Sequence, residues 1–431
     1  MKIVNIVPGF GGSFYCGNCL RDGVFVKNLR VLGHDSVLIP IYLPLTYDKN
    51  DNNIDIPVFY GAVNIYLKQN FRFLRNMPSW LQNLFNSKPI LKFAAHKAGS
   101  TRATGLEEMT ISMLKGTEGF QAEELNQLID YLKYNEKPDI IHLSNSLLLG
   151  LAKKIREDIN IPVVCSLQDE DVWIDGMQPH YRDGLWELMA EKGNDVNAFV
   201  SVSNYFGEVM KNKLHIPDNK LHIIHIGINP DQYEVVRPSL EPPVIGYLSR
   251  MCEDNGLGIL VDAFIELKDN SVFKNSKLRL YGGMTADDKN FLNKQIKKLK
   301  RKGYYKDVEL NEYYTTNNLP EFFSGLSVLS VPVLKGEAFG LYQIESMASG
   351  IPVVQPALGG FTEIIENTGG GITYHPNTAA SLASALNELF SHPEQLQKMS
   401  TDGRNTVIIK YNSDILTKQM VEVYNKVLQD S

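Results

Sequence analysis

The chain has 431 residues, of which 43% are hydrophobic and 21% are charged. Domains normally contain about 100 to 200 residues, so this length predicts two or three of them, and the apolar content is that of a globular chain rather than a disordered or collagenous one. With 43 Lys and Arg against 49 Asp and Glu, the formal net charge is -6. A chain this acidic is not expected to have nucleic acid as its main partner.

The sequence predicts no membrane-spanning helix, because no apolar run approaches the roughly 18 residues that such a helix needs. The longest candidate, residues 322–334, is interrupted by serines, Gly325 and Pro332. The first residues lack the pattern of a signal peptide, so we expect a cytoplasmic protein. Four cysteines are too few and too scattered for a disulfide scaffold, and we expect them to be reduced. They occupy positions 16, 19, 165 and 252.

The first half of the chain alternates predicted strands with predicted helices. Residues 3–7 form an apolar run that meets a glycine-bearing loop, residues 8–12, and a helical pattern then stops at Gly33. This order predicts a strand, a loop and a helix, and a second strand over 36–43 continues the alternation, which is typical of parallel sheets. Further predicted strands cover 57–60, 139–143, 163–167, 198–202 and 221–226.

A proline-rich segment, residues 237–243, predicts a domain boundary, because its three prolines stiffen an extended linker. The alternation restarts after this segment, with a predicted helix over 257–267 and a Lys-rich helix further on. The predicted strands of this half are 244–248, 278–281, 308–310 and 326–331. We therefore expect an α/β protein with two Rossmann-like parallel-sheet domains, 1–236 and 244–413, that face a central cleft.

The segment most informative about function is residues 331–350. A predicted strand ends at Pro332, a glycine-bearing loop follows, and a helix runs from about Gly340 to Gly350. The first backbone amides of this helix are expected to lack helical partners and to lie at the positive end of its dipole, which suits a phosphate or a hydroxyl-rich ligand. They belong to Phe339, Gly340 and Leu341.

Two glutamates lie in or just before this helix. Glu345 falls at the edge of its apolar face, where a carboxylate needs a partner, and Glu337 precedes the helix. Spacing alone leaves two interpretations open. Glu345 could bond a neighbouring amide or cation while Glu337 favours the helix N-terminus, or both carboxylates could bind a ligand.

Glu337 and Glu345, eight residues apart around Ala338-Phe339-Gly340-Leu341, resemble the signature of the family-4 retaining glycosyltransferases (glycosyl transferases group 1), which have the GT-B fold. The resemblance extends over nearly all of the second predicted domain, in residues 246–250, 349–354, 359–363 and 370–372. In the first domain it is thinner, and it rests on Gly11-Gly12, Leu29, Gly33-His34, Val37, 138–142 and 200–203.

The resemblance implies a hexosyltransferase that moves a sugar from a nucleoside diphosphate sugar to an acceptor hydroxyl with retention, in glycan, polysaccharide or glycolipid synthesis. Glu337 would bind hydroxyls of the donor sugar, Glu345 would accept the ribose hydroxyls, and Arg250 would pair with the donor diphosphate. We thus expect Arg250 and Glu337 to be catalytic. Further donor-binding positions would be Gly11, Gly12, Asn255, Phe339, Gly340, Leu341, Gly359 and Gly360.

The same resemblance implies how the reaction is catalysed and what takes part in it. The leaving phosphate would help to deprotonate the acceptor, without a protein nucleophile, a metal or another cofactor. In agreement, the sequence has no convincing Asp-x-Asp motif and no zinc-spaced cluster. The partners would be a nucleotide-sugar donor and a carbohydrate or lipid-linked acceptor. The last helix, within residues 414–431, would cross back onto the first domain.

The chain departs from the family pattern at two places. Asn255 stands where the family usually has a lysine, so one cation that faces the diphosphate is missing unless Arg21 or Lys335 replaces it. A lost charged contact of about 1 to 3 kcal/mol would weaken donor binding or the chemistry. The histidines that the family often has near Ser144 and Gln168 are also absent, so the acceptor side is less well defined than the donor side.

Weaker signals leave alternatives open. His142 and Gln168 could contact the sugar or the acceptor, although a histidine that ends an apolar strand is as often a satisfied structural residue. Cys16 and Cys19 could form a redox or metal pair, or could pack as small residues. The glycine loop also resembles a dinucleotide fingerprint, but Phe14 replaces its third glycine, which argues against a nicotinamide enzyme.

Two other functions of the same fold stay open at this point. The first is a non-catalytic protein that binds a nucleotide or sugar, which the asparagine at position 255 would suit. The second is another GT-B enzyme, such as a nucleotide-sugar epimerase, although the paired glutamates fit such an enzyme poorly.

Residues 61–105 contain no Asp or Glu and carry a local charge of +7. Apolar side chains from Phe73 to Phe85 recur there at helical spacing. An amphipathic basic segment could rest on an anionic membrane surface, which would make the protein peripheral at the inner membrane, or it could frame the acceptor site. It could equally pack on the first domain with its lysines solvated.

Overall fold

The computed structural model describes residues 1–9, 14–42, 59, 103–315 and 318–431. The chain divides into two compact units. Unit 1 comprises Met1–Gly11, Cys19–His225 and Leu416–Ser431, and unit 2 comprises Gly12–Asn18 and Ile226–Ile415. The predicted strand over 57–60 and the basic segment 61–105 fall outside the described residues, apart from Phe59 and residues 103–105.

The strands of unit 1 are β1 (Lys2–Val7), β2 (Asp35–Pro40), β3 (Ile140–Leu143), β4 (Val163–Leu167), β5 (Ala198–Ser201) and β6 (Leu221–Ile223). Within the described residues they form one parallel sheet in the order β2-β1-β3-β4-β5-β6. Nearly every residue of β1 to β5 is buried, as expected for a parallel sheet whose faces are both covered by helices.

The strands of unit 2 are β7 (Val244–Leu248), β8 (Lys277–Tyr281), β9 (Val308–Leu310), β10 (Val328–Leu329), β11 (Val353–Pro356) and β12 (Gly371–Tyr374). They also form a parallel sheet, in the order β12-β11-β10-β7-β8-β9. The chain runs outward in one direction from β7 and in the other from β10, so the strand order reverses between these two neighbours. In open α/β sheets, ligands bind outside the carboxyl ends of the strands at such a point.

The helices are numbered over the described residues. Those before the second sheet are α1 (Gly17–Val31), α2 (Glu107–Leu114), α3 (Ala122–Tyr131), α4 (Ala152–Ile159), α5 (Glu170–Asp175), α6 (Pro179–Gly193) and α7 (Asn204–Leu214). The later ones are α8 (Leu257–Asn270), α9 (Lys289–Lys302), α10 (Leu319–Phe323), α11 (Leu341–Ala348), α12 (Phe361–Thr368), α13 (Ala379–Phe390), α14 (Pro393–Lys410) and α15 (Ser413–Asp430).

The last helix, α15, contributes to the core of unit 1 from Leu416 onward. Its fully buried Tyr424 belongs to the same apolar cluster as Ile3 of β1 and Ile140 of β3. The apolar face of this helix thus covers residues that would otherwise expose the sheet of unit 1 to water.

The predicted α/β class with two parallel sheets is confirmed. The predicted strand over 326–331 is shorter than expected, because only β10 pairs there, with Leu329 next to Gly246 of β7 and Val353 of β11. In the part of the chain that the structure describes, no helix is both long and apolar enough to cross a membrane.

Candidate functional site

Arg250 follows β7 by two residues, at the carboxyl edge of the sheet of unit 2. Its Nε lies 3.3 Å from an Oδ of Asp288, and its guanidinium lies over the ring of Phe14, 5.7 Å from the ring centre. Burial acts to lower the pKa of Arg250, but its interactions with Cys252 and Asp288 outweigh burial and raise that pKa. Arg250 is therefore a fixed cation, and its side chain keeps 24% of its surface exposed.

Asn255, at the position of the family's lysine, supports the loop that carries Arg250. Its Nδ2 donates to Ser249 Oγ at 2.7 Å and to the carbonyl oxygen of Arg250 at 3.3 Å. The hydroxyl of Tyr247 donates to the same Arg250 carbonyl at 2.9 Å and to that of Asn255 at 3.2 Å. The asparagine amide thus makes a structural contribution to this loop, while the exposed Lys335 follows β10 in a different loop.

Glu337 lies in the loop between β10 and α11, against a second loop that contains two glycines. The amide of Gly360 donates to the carbonyl oxygen of Glu337 at 2.8 Å. A Cβ at position 360 would lie 2.4 Å from the carbonyl oxygen of Ala338, and one at position 359 would lie 2.4 Å from that of Glu337. Gly359 and Gly360 therefore allow the backbones to meet, and they fix the loop from which Glu337 projects.

Helix α11 begins directly after this loop, with Gly340 as its first flanking residue in the left-handed conformation (φ 80°). A Cβ there would lie 2.8 Å from the ring of Phe361, so this position requires glycine for both conformation and space. The side chain of Gln343 donates to the carbonyl oxygen of Phe339 at 2.8 Å. The predicted segment Phe339, Gly340 and Leu341 thus lies at the positive end of the helix dipole.

Glu345, on the second turn of α11, is almost completely buried, with 2% of its surface exposed. Two tyrosine hydroxyls donate to its carboxylate: Tyr15 to Oε2 at 2.6 Å, and Tyr233 to Oε1 at 2.8 Å. Burial raises the pKa of Glu345 to about 7, although both hydrogen bonds act to lower it. The partners of this carboxylate are therefore tyrosine hydroxyls, rather than a neighbouring amide or cation.

Tyr15 also belongs to a group of aromatic rings in unit 2. Its ring meets that of Tyr314 edge-on at 5.5 Å, and Tyr314 lies 5.6 Å from Tyr281. The ring of Tyr281 stacks on Phe322 at 5.5 Å. Among the described residues, the buried hydroxyl of Tyr314 has no hydrogen-bond partner. Within unit 2, Glu345 and its partner Tyr15 thus lie beside a group of packed aromatic rings.

Three residues around Glu345, namely Tyr15, Tyr233 and Tyr314, were not predicted as site residues. Tyr15 lies 330 residues from Glu345 along the chain, and Tyr233 lies 112 residues from it, so no local spacing links them. Only the position of Tyr15, shortly after the glycine loop that follows β1, could have suggested a place near a ligand.

His142, on β3 of unit 1, is a buried residue whose two ring nitrogens both have partners. Nδ1 is hydrogen-bonded to the hydroxyl of Tyr424, and Nε2 lies 2.8 Å from Ser166 Oγ. Burial, helped by the nearby Arg21, lowers the pKa of His142 to about 3, so the ring is neutral at physiological pH. These contacts favour the structural interpretation of this histidine.

Arg21 and Gln168 lie in the same polar network of unit 1. Arg21 donates from one terminal nitrogen to Gln168 Oε1 at 2.9 Å and from the other to Ser166 Oγ at 2.8 Å. Its Nε lies 3.3 Å from Asp22, and Gln168 in turn donates to the carbonyl oxygen of Ser144 at 2.6 Å. All three nitrogens of Arg21 are therefore engaged within unit 1.

Two of the predicted donor-binding positions are glycines of the loop that follows β1. Gly11 and Gly12 lie outside the described residues.

The expectation of reduced cysteines is wrong for Cys16, which is disulfide-bonded, whereas Cys165 and Cys252 are free. Among the described residues there is no group of three or more His, Cys, Asp or Glu that could hold a metal ion.

Two family models match the chain. The model for "Glycosyltransferase Family 4" matches residues 113–232, and the model for "Glycosyl transferases group 1" matches residues 230–406. An uncharacterized glycosyltransferase of Methanocaldococcus jannaschii is 22% identical over 319 residues, which are 71% of this chain and 79% of that protein. The alpha-maltose-1-phosphate synthase of Mycolicibacterium smegmatis is 21% identical over 271 residues, 57% of this chain and 67% of that enzyme.

Solved structures of glycosyltransferases are similar over the whole chain. Sucrose-phosphate synthase from Thermosynechococcus elongatus aligns with a TM-score of 0.73 and 16% identity, and it covers 100% of both chains. HepE of Anabaena, solved with UDP and glucose, aligns with a TM-score of 0.67 and 16% identity over 99% of each chain. At these identities the likeness establishes the fold, which is the GT-B fold.

Proposed function

We propose that this chain, which belongs to the group 1 glycosyltransferases of family 4, transfers a sugar from a nucleoside diphosphate sugar to an acceptor hydroxyl and retains the anomeric configuration. Glycosyl transfer is the function of the family. The donor class, the retention and the roles of individual residues are our proposal.

The observation that carries the proposal is the position of two charged residues at the point where the strand order of unit 2 reverses. Arg250 follows β7 and Glu337 follows β10, and these strands are hydrogen-bonded neighbours in the parallel sheet. Side chains that follow the carboxyl ends of adjacent strands at such a reversal face one crevice. A cation and a carboxylate there suit a ligand that carries both phosphate and hydroxyl groups.

The donor site of this proposal is divided by charge. Arg250 and the amides at the start of α11 bind the diphosphate, because both present positive charge to it. Glu337 accepts hydroxyl groups of the sugar, and Glu345 accepts the ribose hydroxyls. Both tasks need an ionised carboxylate, since both of its oxygens then accept hydrogen bonds from hydroxyls, whereas a protonated carboxyl group donates from one of them.

The reaction of this proposal uses no protein nucleophile. The bond between the anomeric carbon and the phosphate oxygen breaks, and the acceptor oxygen bonds to that carbon on the same face of the sugar. The acceptor proton passes to the leaving phosphate. Arg250 stabilises the negative charge that develops on the diphosphate, and we propose that no metal ion is needed.

HepE was solved with UDP and with UDP-glucose, which makes these compounds the first probes to use. We propose a carbohydrate or a lipid-linked carbohydrate as the acceptor. A second candidate function, nucleotide binding without catalysis, is favoured by Asn255, because the loop then has one cation fewer with which to stabilise a leaving diphosphate.

The release of nucleoside diphosphate from UDP-, GDP- and ADP-sugars, with EDTA present, tests both candidates. We expect the wild-type chain to consume at least one donor, and Glu337→Gln and Arg250→Ala each to reduce turnover at least about 100-fold, while the fold is retained. Glu366→Gln, at an exposed position of α12, is the matched control and keeps wild-type turnover. If the chain binds nucleotide but consumes none of these donors, the second candidate is favoured.

A further inference from the structure

Residues Phe14 and Tyr15 are attached to unit 2 by their backbone, beside the loop that follows β8. Phe14 forms an antiparallel bridge with Gly283, and the amide of Tyr15 donates to the carbonyl oxygen of Gly282 at 2.7 Å. Both side chains are thereby held against the residues of the proposed donor site.

Tyr15 closes the carboxylate of Glu345. Its hydroxyl donates a hydrogen bond to one carboxylate oxygen, and the hydroxyl of Tyr233 donates to the other. Only 2% of the surface of Glu345 remains exposed to solvent. Each carboxylate oxygen could accept a second bond, but a carboxylate that is closed to water is also closed to a ribose. In this arrangement a nucleotide has no access to Glu345.

Phe14, the preceding residue, lies on the other charged group of the site. Its ring is 5.7 Å from the guanidinium of Arg250, a cation–π contact. Two consecutive side chains thus contact the cation proposed for the diphosphate and the carboxylate proposed for the ribose. An aromatic ring and a hydroxyl that donates to Glu345 are also the groups that a bound nucleoside would present there.

We propose that Phe14 and Tyr15, the aromatic latch, occupy the donor nucleotide site as an intramolecular competitor, and that the donor binds only after the latch withdraws from Glu345 and Arg250. This inference rests on the proposed function, since it takes the nucleotide to bind these two residues. The latch and the nucleotide exclude each other, so the apparent affinity equals the intrinsic affinity multiplied by the fraction of molecules whose latch is open.

The direct test is Tyr15→Phe, which keeps the ring and removes only the hydroxyl bond to Glu345. The probe is whichever of UDP, GDP and ADP the wild type binds. At pH 8 we expect the variant to bind it about tenfold more tightly than the wild type does, because the closed latch loses a hydrogen bond to a charged acceptor. The donor KM falls while kcat stays unchanged. Phe14→Leu, which removes the contact with Arg250, tightens binding by a smaller factor.

Tyr374→Phe is the matched control, because it also removes a phenol hydrogen bond in unit 2, to Asn377 at 3.0 Å on the edge strand β12. We expect this variant to leave nucleotide affinity unchanged. A change equal to that of Tyr15→Phe would show that loss of any buried phenol bond affects the site, which would overturn the proposal.

Hydrogen exchange at the Tyr15 amide provides a second measurement. If the latch withdraws, saturating nucleotide increases exchange there, because the bond to Gly282 opens. If Tyr15 instead positions Glu345 for the ribose, nucleotide slows exchange, and Tyr15→Phe weakens binding or leaves it unchanged. That result overturns the latch but keeps the donor site. If neither the wild type nor either latch variant binds any of the three nucleotides, the proposed function fails as well.

Discussion

Replacing Glu345 with Gln is expected to stabilise the protein and to impair nucleotide binding at once. The side chain is buried, and both of its oxygens accept tyrosine hydroxyls, at 2.6 and 2.8 Å. Glutamine has almost the same shape, and a phenol can accept as well as donate a hydrogen bond, so the contacts with Tyr15 and Tyr233 can persist. The substitution therefore removes mainly the buried negative charge.

The size of the effect follows from the pKa of Glu345, which burial raises from an ordinary 4.5 to about 7. Between these two pH values the unfolded chain loses its proton while the folded chain keeps it, so the unfolding free energy falls as pH rises. Above about 7 it falls no further. Two and a half pH units at about 1.4 kcal/mol each amount to about 3 kcal/mol, which Glu345→Gln would recover at pH 8 but not at pH 4.5.

Thermal unfolding of Glu345→Gln and wild type at several pH values from 4.5 to 8 measures this difference. At about 2 to 4 °C per kcal/mol, we expect the variant to melt up to about 10 °C higher at pH 8 and at the same temperature at pH 4.5. Its affinity for nucleoside diphosphate falls at least about tenfold, because the neutral amide has one accepting oxygen where the carboxylate has two, and hydrogen bonds to a charged acceptor are stronger. Glu366→Gln, at an exposed position, changes neither property. Equal destabilisation at every pH would refute the buried charge, and unchanged affinity would refute the ribose contact.

Two further predictions concern the loops of the site. Gly360→Ala places a Cβ 2.4 Å from the carbonyl oxygen of Ala338, so we expect it to lower the unfolding free energy by about 1 to 3 kcal/mol and to weaken nucleotide binding measured by calorimetry. Gly258→Ala, in the first turn of α8, adds a Cβ that would meet no atom closer than 3.6 Å, so it should raise the unfolding free energy by up to about 1 kcal/mol. A similar loss of unfolding free energy in both variants would contradict this explanation. Asn255→Ala removes the 2.7 Å bond to Ser249 and should cost about 1 kcal/mol in denaturant unfolding and lower kcat/KM, whereas unchanged kinetics would show that this amide does not position Arg250.

The fold was largely predictable because its strands are short apolar runs between glycine- and proline-containing turns. Residues 163–167 and 244–248 were predicted as strands and form β4 and β7 with those bounds. β10 was predicted less well, because only Val328 and Leu329 pair with their neighbours, although the apolar run is longer. Burial of an apolar run can thus be predicted locally, whereas the extent of its pairing depends on the strands on either side.

The candidate site was predictable only where the information lies within a short segment. Glu337, Gly340 and Glu345 belong to one loop and helix, so their spacing indicated a site. The partners of Glu345 could not be predicted, since Tyr15 and Tyr233 reach it from distant parts of the chain. Tertiary packing, rather than local pattern, decides which groups surround a buried carboxylate.

The same limit applies to residues that looked functional. His142 ends an apolar strand, as a ligand-binding histidine could, but its partners Tyr424 and Ser166 lie on other elements. The sequence indicated only that Asn255 replaces a cation. In the structure its side-chain amide also donates a hydrogen bond to the backbone carbonyl of Arg250. In both cases the residue type was evident, while its contacts required the folded chain.

One measurement tests the central proposal most directly: time-resolved proton NMR of the purified chain with a nucleotide sugar and candidate carbohydrate acceptors. We predict that the anomeric signal of an α-linked donor is replaced by that of an α-linked product, and that Glu337→Gln slows this change at least about 100-fold. A product of inverted configuration would contradict retention. Equal rates for the wild type and Glu337→Gln would contradict the site itself.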